Sequence, residues 1–211
     1  MSDHYYSSLP QSKHKPAHVA FTYRGHALMF DTDSGVFSRL EIDKGTEILL
    51  RTLPEPVYGN VLDLGCGYGT IGVSIGKAYP ECSIVMADIN ERAAKLADAN
   101  AKRNGVAAHA FAGDGYEAVP KGSTFDFILQ NPPIRAGKQV IYGMFADAVR
   151  YLSQEGTLWL VIRKQQGASS AVKYLATLFG TVQIMEKKGG YWILCCASPI
   201  AQREGETSNE I

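Results

Sequence analysis

Two short stretches of this chain hold residue types whose order suggests chemistry. The first is Val61-Leu-Asp-Leu-Gly-Cys-Gly-Tyr-Gly-Thr70, where Gly65, Gly67 and Gly69 follow an apolar run. Glycines in such a loop let backbone approach a ligand closely and adopt positive φ angles that a Cβ would resist. The second is Asn131-Pro132-Pro133-Ile134, which follows another apolar run, Phe125-Asp-Phe-Ile-Leu-Gln130. Two prolines fix φ and remove two backbone donors, and the residue before a proline is held extended. The Asn131 side-chain oxygen and the Pro132 carbonyl are therefore expected to form a rigid pair of acceptors. Such a pair suits an exocyclic amine or amide nitrogen, whose lone pair is delocalised. Two acceptors gripping its N–H bonds stabilise that nitrogen as it turns tetrahedral and positive while attacking a methyl group, with no strong base required.

The glycine loop admits two ligands. Gly67-Tyr-Gly69-Thr-Ile-Gly72 satisfies the dinucleotide fingerprint, and Asp88 follows at nearly the distance of a ribose-binding acid. Asp63, two residues before Gly65, separates the readings. A carboxylate there suits S-adenosylmethionine, which carries an amino group and a sulfonium, and would repel a pyrophosphate. On this reading Asp63, Gly65, Cys66, Gly67 and Gly69 form the cofactor loop. Asp88 then takes the ribose hydroxyls, Ile89 packs on the adenine, and Asp114, in Gly113-Asp-Gly115, accepts the adenine amino group.

These residues need a scaffold that brings them to one edge. From Val57 onward apolar runs at 58–63, 82–88, 107–112, 124–130 and 156–162 alternate with helical patterns near 70–79, 90–104, 138–153 and 167–179. That alternation predicts an α/β fold, a doubly wound and mostly parallel sheet covered on both faces. Both motifs then fall at the carboxyl ends of strands, where open α/β sheets bind ligands. At the end, 181–187 and 191–197 are joined by Lys188-Gly-Gly190, too short for a crossover, so that pair is antiparallel. Upstream, a hairpin at 19–23 and 27–30 and a helix at about 44–53 precede Pro54 and Pro56. The expected organisation is an arm, hairpin and helix over 1–56, a cofactor-binding domain over 57–198, and a polar tail over 199–211.

Bulk properties narrow the class. The 211 residues carry 21 Lys plus Arg against 21 Asp plus Glu, so no global positive field points to nucleic acid. Four cysteines without Cys-x-x-Cys spacing read as free thiols of a reducing compartment. The polar N-terminus has no signal-peptide core, and no apolar run is long enough to span a bilayer. A soluble cytoplasmic protein without a membrane or metal partner is the expectation, with the oligomeric state open. No histidine spacing suggests a metal, and no nucleophile elbow suggests a hydrolase.

The two motifs, in this order and spacing, resemble those of the Rossmann-fold methyltransferases that modify amino nitrogens. Gly35-Val-Phe-Ser-Arg39 and Asp43-Lys-Gly-Thr46 are similar to the segment before the first strand in the small-subunit ribosomal RNA guanine-N2 methyltransferase family. The stretch from Asn131 to Lys138 and the closing strand pair are similar to short, single-domain bacterial members of it. The likeness covers about 19–197. It implies a seven-stranded sheet with its last strand antiparallel, S-adenosylmethionine as cofactor, and Phe37, Gly65, Asp88, Asp114 and Asn131 around the cofactor and target. Many relatives have an aromatic residue after the two prolines, on which a flipped base stacks; this chain has Ile134.

The expected activity is methylation of guanine N2 in ribosomal RNA, with Asn131 and Pro132 catalytic and Pro133, Ile134, Arg135 and Lys138 on the substrate. A phosphate-binding rim is expected from Arg135, Lys138, Arg163 and Lys164, with Lys13, Lys15 and Arg24. Methylation of a protein glutamine amide and a nicotinamide-dependent oxidoreductase remain the alternatives.

Overall fold

A hairpin of β1 (Ala17–Tyr23) and β2 (His26–Thr32) forms a two-stranded sheet of its own. Its two-residue turn places Arg24 at φ 47° and Gly25 at φ 79°, the positive pair that a tight hairpin turn needs. Next comes α1 (Lys44–Thr52), capped by the Asp43 carboxylate, which accepts from the Thr46 N–H. The order continues β3 (Asn60–Leu64), α2 (Thr70–Ala78), β4 (Ser83–Asp88), α3 (Glu91–Arg103), β5 (Ala108–Ala112), β6 (Phe125–Gln130), α4 (Lys138–Tyr151), β7 (Leu152–Arg163), α5 (Ala168–Leu175), β8 (Phe179–Lys188) and β9 (Tyr191–Pro199). This computed structural model describes residues 12–200; the outer arm at 1–11 and the tail at 201–211, both anticipated from sequence, lie outside the described residues.

Seven strands form one sheet in the order β5-β4-β3-β6-β7-β9-β8. All neighbours are parallel except β9, which runs antiparallel to both β7 and β8. The alternation of side chains divides the core in two. Val61, Phe127, Leu129, Trp159 and Val161 face the side covered by the hairpin, α1, α2 and α3. Leu62, Leu64, Ile128, Leu158 and Leu160 face α4 and α5. The doubly wound sheet expected from sequence is thus the observed one.

Two boundaries moved for physical reasons. β7 starts at Leu152, directly after α4, because Leu152 pairs with Phe125 across a register shift before the regular pairing resumes at Phe127. α5 stops at Leu175 and not near 179, since Leu178 and Phe179 turn into the core while Thr177 bonds back to the Tyr174 carbonyl at 2.7 Å.

What fixes the hairpin to the body is a pair of side-chain amides. Asn100 Oδ1 accepts from Asp31 N (2.7 Å) and its Nδ2 donates to Asp31 O (2.9 Å) and Tyr68 O (2.8 Å). One turn on, Asn104 Oδ1 accepts from Met29 N (3.0 Å) and its Nδ2 donates to Met29 O (2.9 Å). Residues four apart share a helix face and residues two apart share a strand edge, so the helix reads the strand. Asn100 is fully buried. Asn100→Ala would leave three backbone groups unpaired, each worth about 1–3 kcal/mol when desolvated. We expect a loss of about 2–4 kcal/mol in urea unfolding; a change below about 0.5 kcal/mol would show that water replaces the amide.

Candidate active site

At the carboxyl ends of the strands lies a cavity of about 480 Å³. Its walls come from the glycine loop after β3, the ends of β4 and β5, the Asn131–Ala136 segment after β6, the end of β7, and the Val36–Ser38 segment. Chain order had separated these pieces by more than a hundred residues; the parallel sheet delivers them to one rim.

Gly65 and Gly67 line the cavity with φ of 74° and 56°. A Cβ on either would meet no atom within 4 Å, so the space above them is open and a ligand can rest on bare backbone. Gly69 plays a different part. It lines no cavity, and a Cβ there would come within 3.1 Å of the Ala97 backbone and 3.2 Å of Met86. Its missing side chain serves the packing of α2's start against α3, and it stands off the cavity wall where a cofactor contact was expected. Cys66 likewise lies off the main cavity, in a small recess beside it with Thr46, Tyr68 and Thr70. Burial, with Asp88 and Asp63 nearby, pushes its thiol well up, which makes it a poor nucleophile.

Asp88 sits at the end of β4 and lines the cavity. Its Oδ2 accepts from Gly67 N and its Oδ1 from Asn90 N, both at 2.8 Å. Each oxygen keeps a lone pair for a ligand hydroxyl. Burial pushes its carboxyl up to about 6 against the pull of those two N–H groups. Asp63, expected to touch the ligand, is not among the residues that line the cavity. It is 1% exposed, its Oδ2 accepts from Gly72 N in the first turn of α2 at 2.8 Å, and its Oδ1 has no partner. Burial, reinforced by Asp88, pushes its carboxyl up to about 7. Raised carboxyls bind protons that the unfolded chain has lost, so this pair disfavours folding increasingly as pH climbs from the ordinary value of 3.8 to about 7. An orphaned buried carboxylate oxygen and a second carboxylate beside bare backbone fit a cationic ligand. They do not fit a pyrophosphate.

Beside the glycine loop, after the neighbouring strand β6, stands Asn131. Its Nδ2 donates to Asp43 Oδ2 and Thr46 Oγ1, both at 2.9 Å. The same Asp43 oxygen caps α1 through Thr46 N at 3.0 Å. With both amide hydrogens engaged, the Asn131 oxygen is left for the cavity. The Pro132 carbonyl accepts no hydrogen bond from the described residues, whereas the Pro133 carbonyl is taken by Ala136 N at 2.8 Å. Asn131 and Pro132, from which a rigid acceptor pair was anticipated, thus both line the cavity, each with a carbonyl oxygen that accepts nothing from the described residues. Its anchors, Asp43 and Thr46, were singled out in the sequence only through resemblance. An aspartate followed three residues later by threonine at a helix start was the available signal.

Phe37, Ile89, Asp114, Pro132, Pro133, Ile134 and Arg135 all line the cavity, as expected. Lys138 does not; its ammonium lies 4.9 Å from the Tyr142 ring centroid on the exposed side of α4. Arg24 leaves the proposed rim altogether. At the hairpin tip it pairs with Glu55 and packs over Tyr23 and Tyr79, at the end of α2 remote from the glycine loop. Lys13 and Lys15 stay near the rim, since Ser34 bonds to the Lys13 carbonyl and Lys15 N to Asp33, next to the Val36–Ser38 wall. Tyr191 and Gln166 also line the cavity, and the sequence pattern did not mark either.

Among the described residues no cluster could hold a metal ion and no helix is long and apolar enough to cross a membrane. Residues 27–195 match the family described as Methyltransferase small domain. The protein named YbxB in Bacillus subtilis (strain 168), itself uncharacterized, is 43% identical over 196 residues, covering 92% of this chain and 98% of that one. The Ribosomal RNA small subunit methyltransferase C of Hahella chejuensis is 40% identical over 141 residues, 65% of this chain and 41% of its own length. Among solved structures, a 16S rRNA N2 methyltransferase of T. thermophilus, in complex with AdoMet and guanosine, superimposes with a TM-score of 0.78 at 25% identity, covering 90% of this chain and 52% of that one. This chain thus spans about half or less of these two ribosomal RNA enzymes. By its family match and by these likenesses the chain belongs to the methyltransferase small domain family and is an S-adenosylmethionine-dependent methyltransferase.

Proposed function

We propose that the chain methylates the exocyclic N2 amine of a guanine in RNA, with small-subunit ribosomal RNA as the substrate. The observation that carries this reading is the Asn131 amide, whose Nδ2 is held by Asp43 and Thr46 and whose residue lines the cavity beside Pro132. Support also comes from the ribosomal RNA enzymes to which the chain is similar and from the guanosine in the T. thermophilus complex.

When bound, the cofactor would supply a methyl group on a sulfonium sulfur, which the amine would take in exchange for one N–H proton lost to solvent, with a neutral thioether as leaving group. Asp88 would hold the ribose hydroxyls and Gly65 and Gly67 the backbone-facing part, while Asp63, buried behind the loop, would favour the positive charge through its field without contact. Ile89 and Asp114 would flank the adenine. The two acceptors orient the amine, and their partial negative charge stabilises the nitrogen as it becomes positive. Ile134 gives the base an apolar face without the roughly 1–3 kcal/mol that stacking on an aromatic provides. Arg135, exposed on the rim, suits the phosphate backbone.

Asn131→Ala should lower turnover about 10²–10³-fold, the usual cost of one preorganised hydrogen bond, and leave S-adenosylhomocysteine affinity nearly unchanged. Asp43→Ala, which frees the amide to rotate, should fall between parent and Asn131→Ala. Tritium transfer from labelled S-adenosylmethionine to RNA fractions of cells lacking the protein reads both. Parent-like turnover in Asn131→Ala would reduce the motif to a stiff strand exit.

The raised carboxyls give a second test. A cation beside the loop favours their ionised forms, so binding S-adenosylmethionine at pH 6–7 should release protons, and release should vanish by pH 9. Calorimetry in two buffers of different ionisation heat measures it. Identical heats at pH 6.5 would show that neither Asp63 nor Asp88 feels the ligand's charge.

A further inference from the structure

We infer that Arg163, braced on Tyr191, reads the acceptor edge of the target purine and so selects guanine. This deepens, and rests on, the guanine reading above. Side chains alternate along strands, and Leu129, Trp159, Val161 and Ile193 all belong to the core face beneath α1. By that alternation Asn131, Val161, Arg163 and Tyr191 lie on the same face. β6 and β7 are adjacent and parallel, with Gln130 opposite Leu160, and Arg163 pairs with Tyr191 across β7 and β9. Asn131, Arg163 and Tyr191 all line the one cavity.

The guanidinium is built in place. One terminal nitrogen donates to the Tyr191 hydroxyl, and the group lies 4.8 Å from the Tyr191 ring centroid. Tyr191 is itself fixed under the start of α1. Gly45 has room for it only because it has no side chain: a Cβ there would come within 2.8 Å of the ring. The turn of α1 that orients Asn131 therefore also seats the tyrosine that orients Arg163. Among the described residues Arg163 has no carboxylate partner, and its remaining N–H groups are free.

A guanidinium has five donors and no acceptor, so it can select only an acceptor on the base. An exocyclic amine held by Asn131 and Pro132 belongs to a purine whose far side carries either an oxygen, as in guanine, or a hydrogen or amine. Arginine pairs with guanine O6 and N7 and finds no O6 in the analogues. The free amine alone, which the acceptor pair grips, cannot make this distinction.

The test measures binding of guanosine, 2-aminopurine riboside and guanosine monophosphate to the full chain saturated with S-adenosylhomocysteine. The parent should prefer guanosine to 2-aminopurine riboside by about 10- to 100-fold, the range for one bidentate arginine contact. Arg163→Met should bring the two within about threefold by weakening guanosine alone, with S-adenosylhomocysteine affinity unchanged. Tyr191→Phe, which keeps the ring and removes the brace, should give an intermediate ratio. Unchanged discrimination in Arg163→Met overturns the assignment. So does a variant that loses only the advantage of the monophosphate over guanosine, since Arg163 would then hold a phosphate. A parent that binds neither nucleoside at millimolar concentration removes the guanine reading itself, and this assignment with it.

Discussion

One carboxylate oxygen, Asp43 Oδ2, satisfies both a helix terminus and the amide of Asn131. An asparagine side chain can present either an oxygen or an NH₂ to a site, and only the oxygen grips an amine. The choice is made by what the other end of the amide meets. Here it meets two oxygens that α1 holds in its first turn, so the arrangement of the acceptor pair depends on where α1 docks. That docking is secured from below by Ile48, Leu49 and Leu50 in the larger core. The helix upstream of the seven-stranded sheet thus helps to set the wall of the cavity.

Charge is distributed with similar economy. Two carboxylates, Asp63 and Asp88, crowd the glycine loop, each raised by burial and Asp63 further by its neighbour. The strain of keeping them close is lessened by backbone donors: Gly72 N at the start of α2, Gly67 N and Asn90 N. The positive end of α2 lies beside Asp63 and offsets part of the remaining cost. Two cationic groups, Arg135 and Arg163, line the same cavity. A chain with no net charge therefore brings charges of both signs to one cavity.

Much of this was legible in the sequence because it followed from periodicity and punctuation. The alternation of apolar runs and helical patterns placed five of the seven strands of the sheet, and the short Lys188–Gly190 link dictated that the last two are antiparallel. The prolines after Asn131 specified its rigidity. What was not legible depended on partners distant in sequence. Asp63 looks like a ligand contact by its position, yet the way β3 enters the loop turns it inward to Gly72. Gly69 reads like its neighbours and instead answers to Ala97. Arg24 follows a turn that points to the wrong end of the sheet. Tyr191 carries no local signal, because its role arises only when β9 inserts beside β7.

The pairing of Asn100 and Asn104 with Met29 and Asp31 has a consequence for solubility. A two-stranded hairpin has two free edges, and an unpaired edge is a template on which another chain can add a strand. Along β2 the outward N–H and C=O groups of Met29 and Asp31 are already spoken for by amides of the same molecule. The helix plays the part of the missing strand for two successive outward positions, but it cannot continue the ladder. That edge is closed to β-addition by a neighbour that has no further edge to offer.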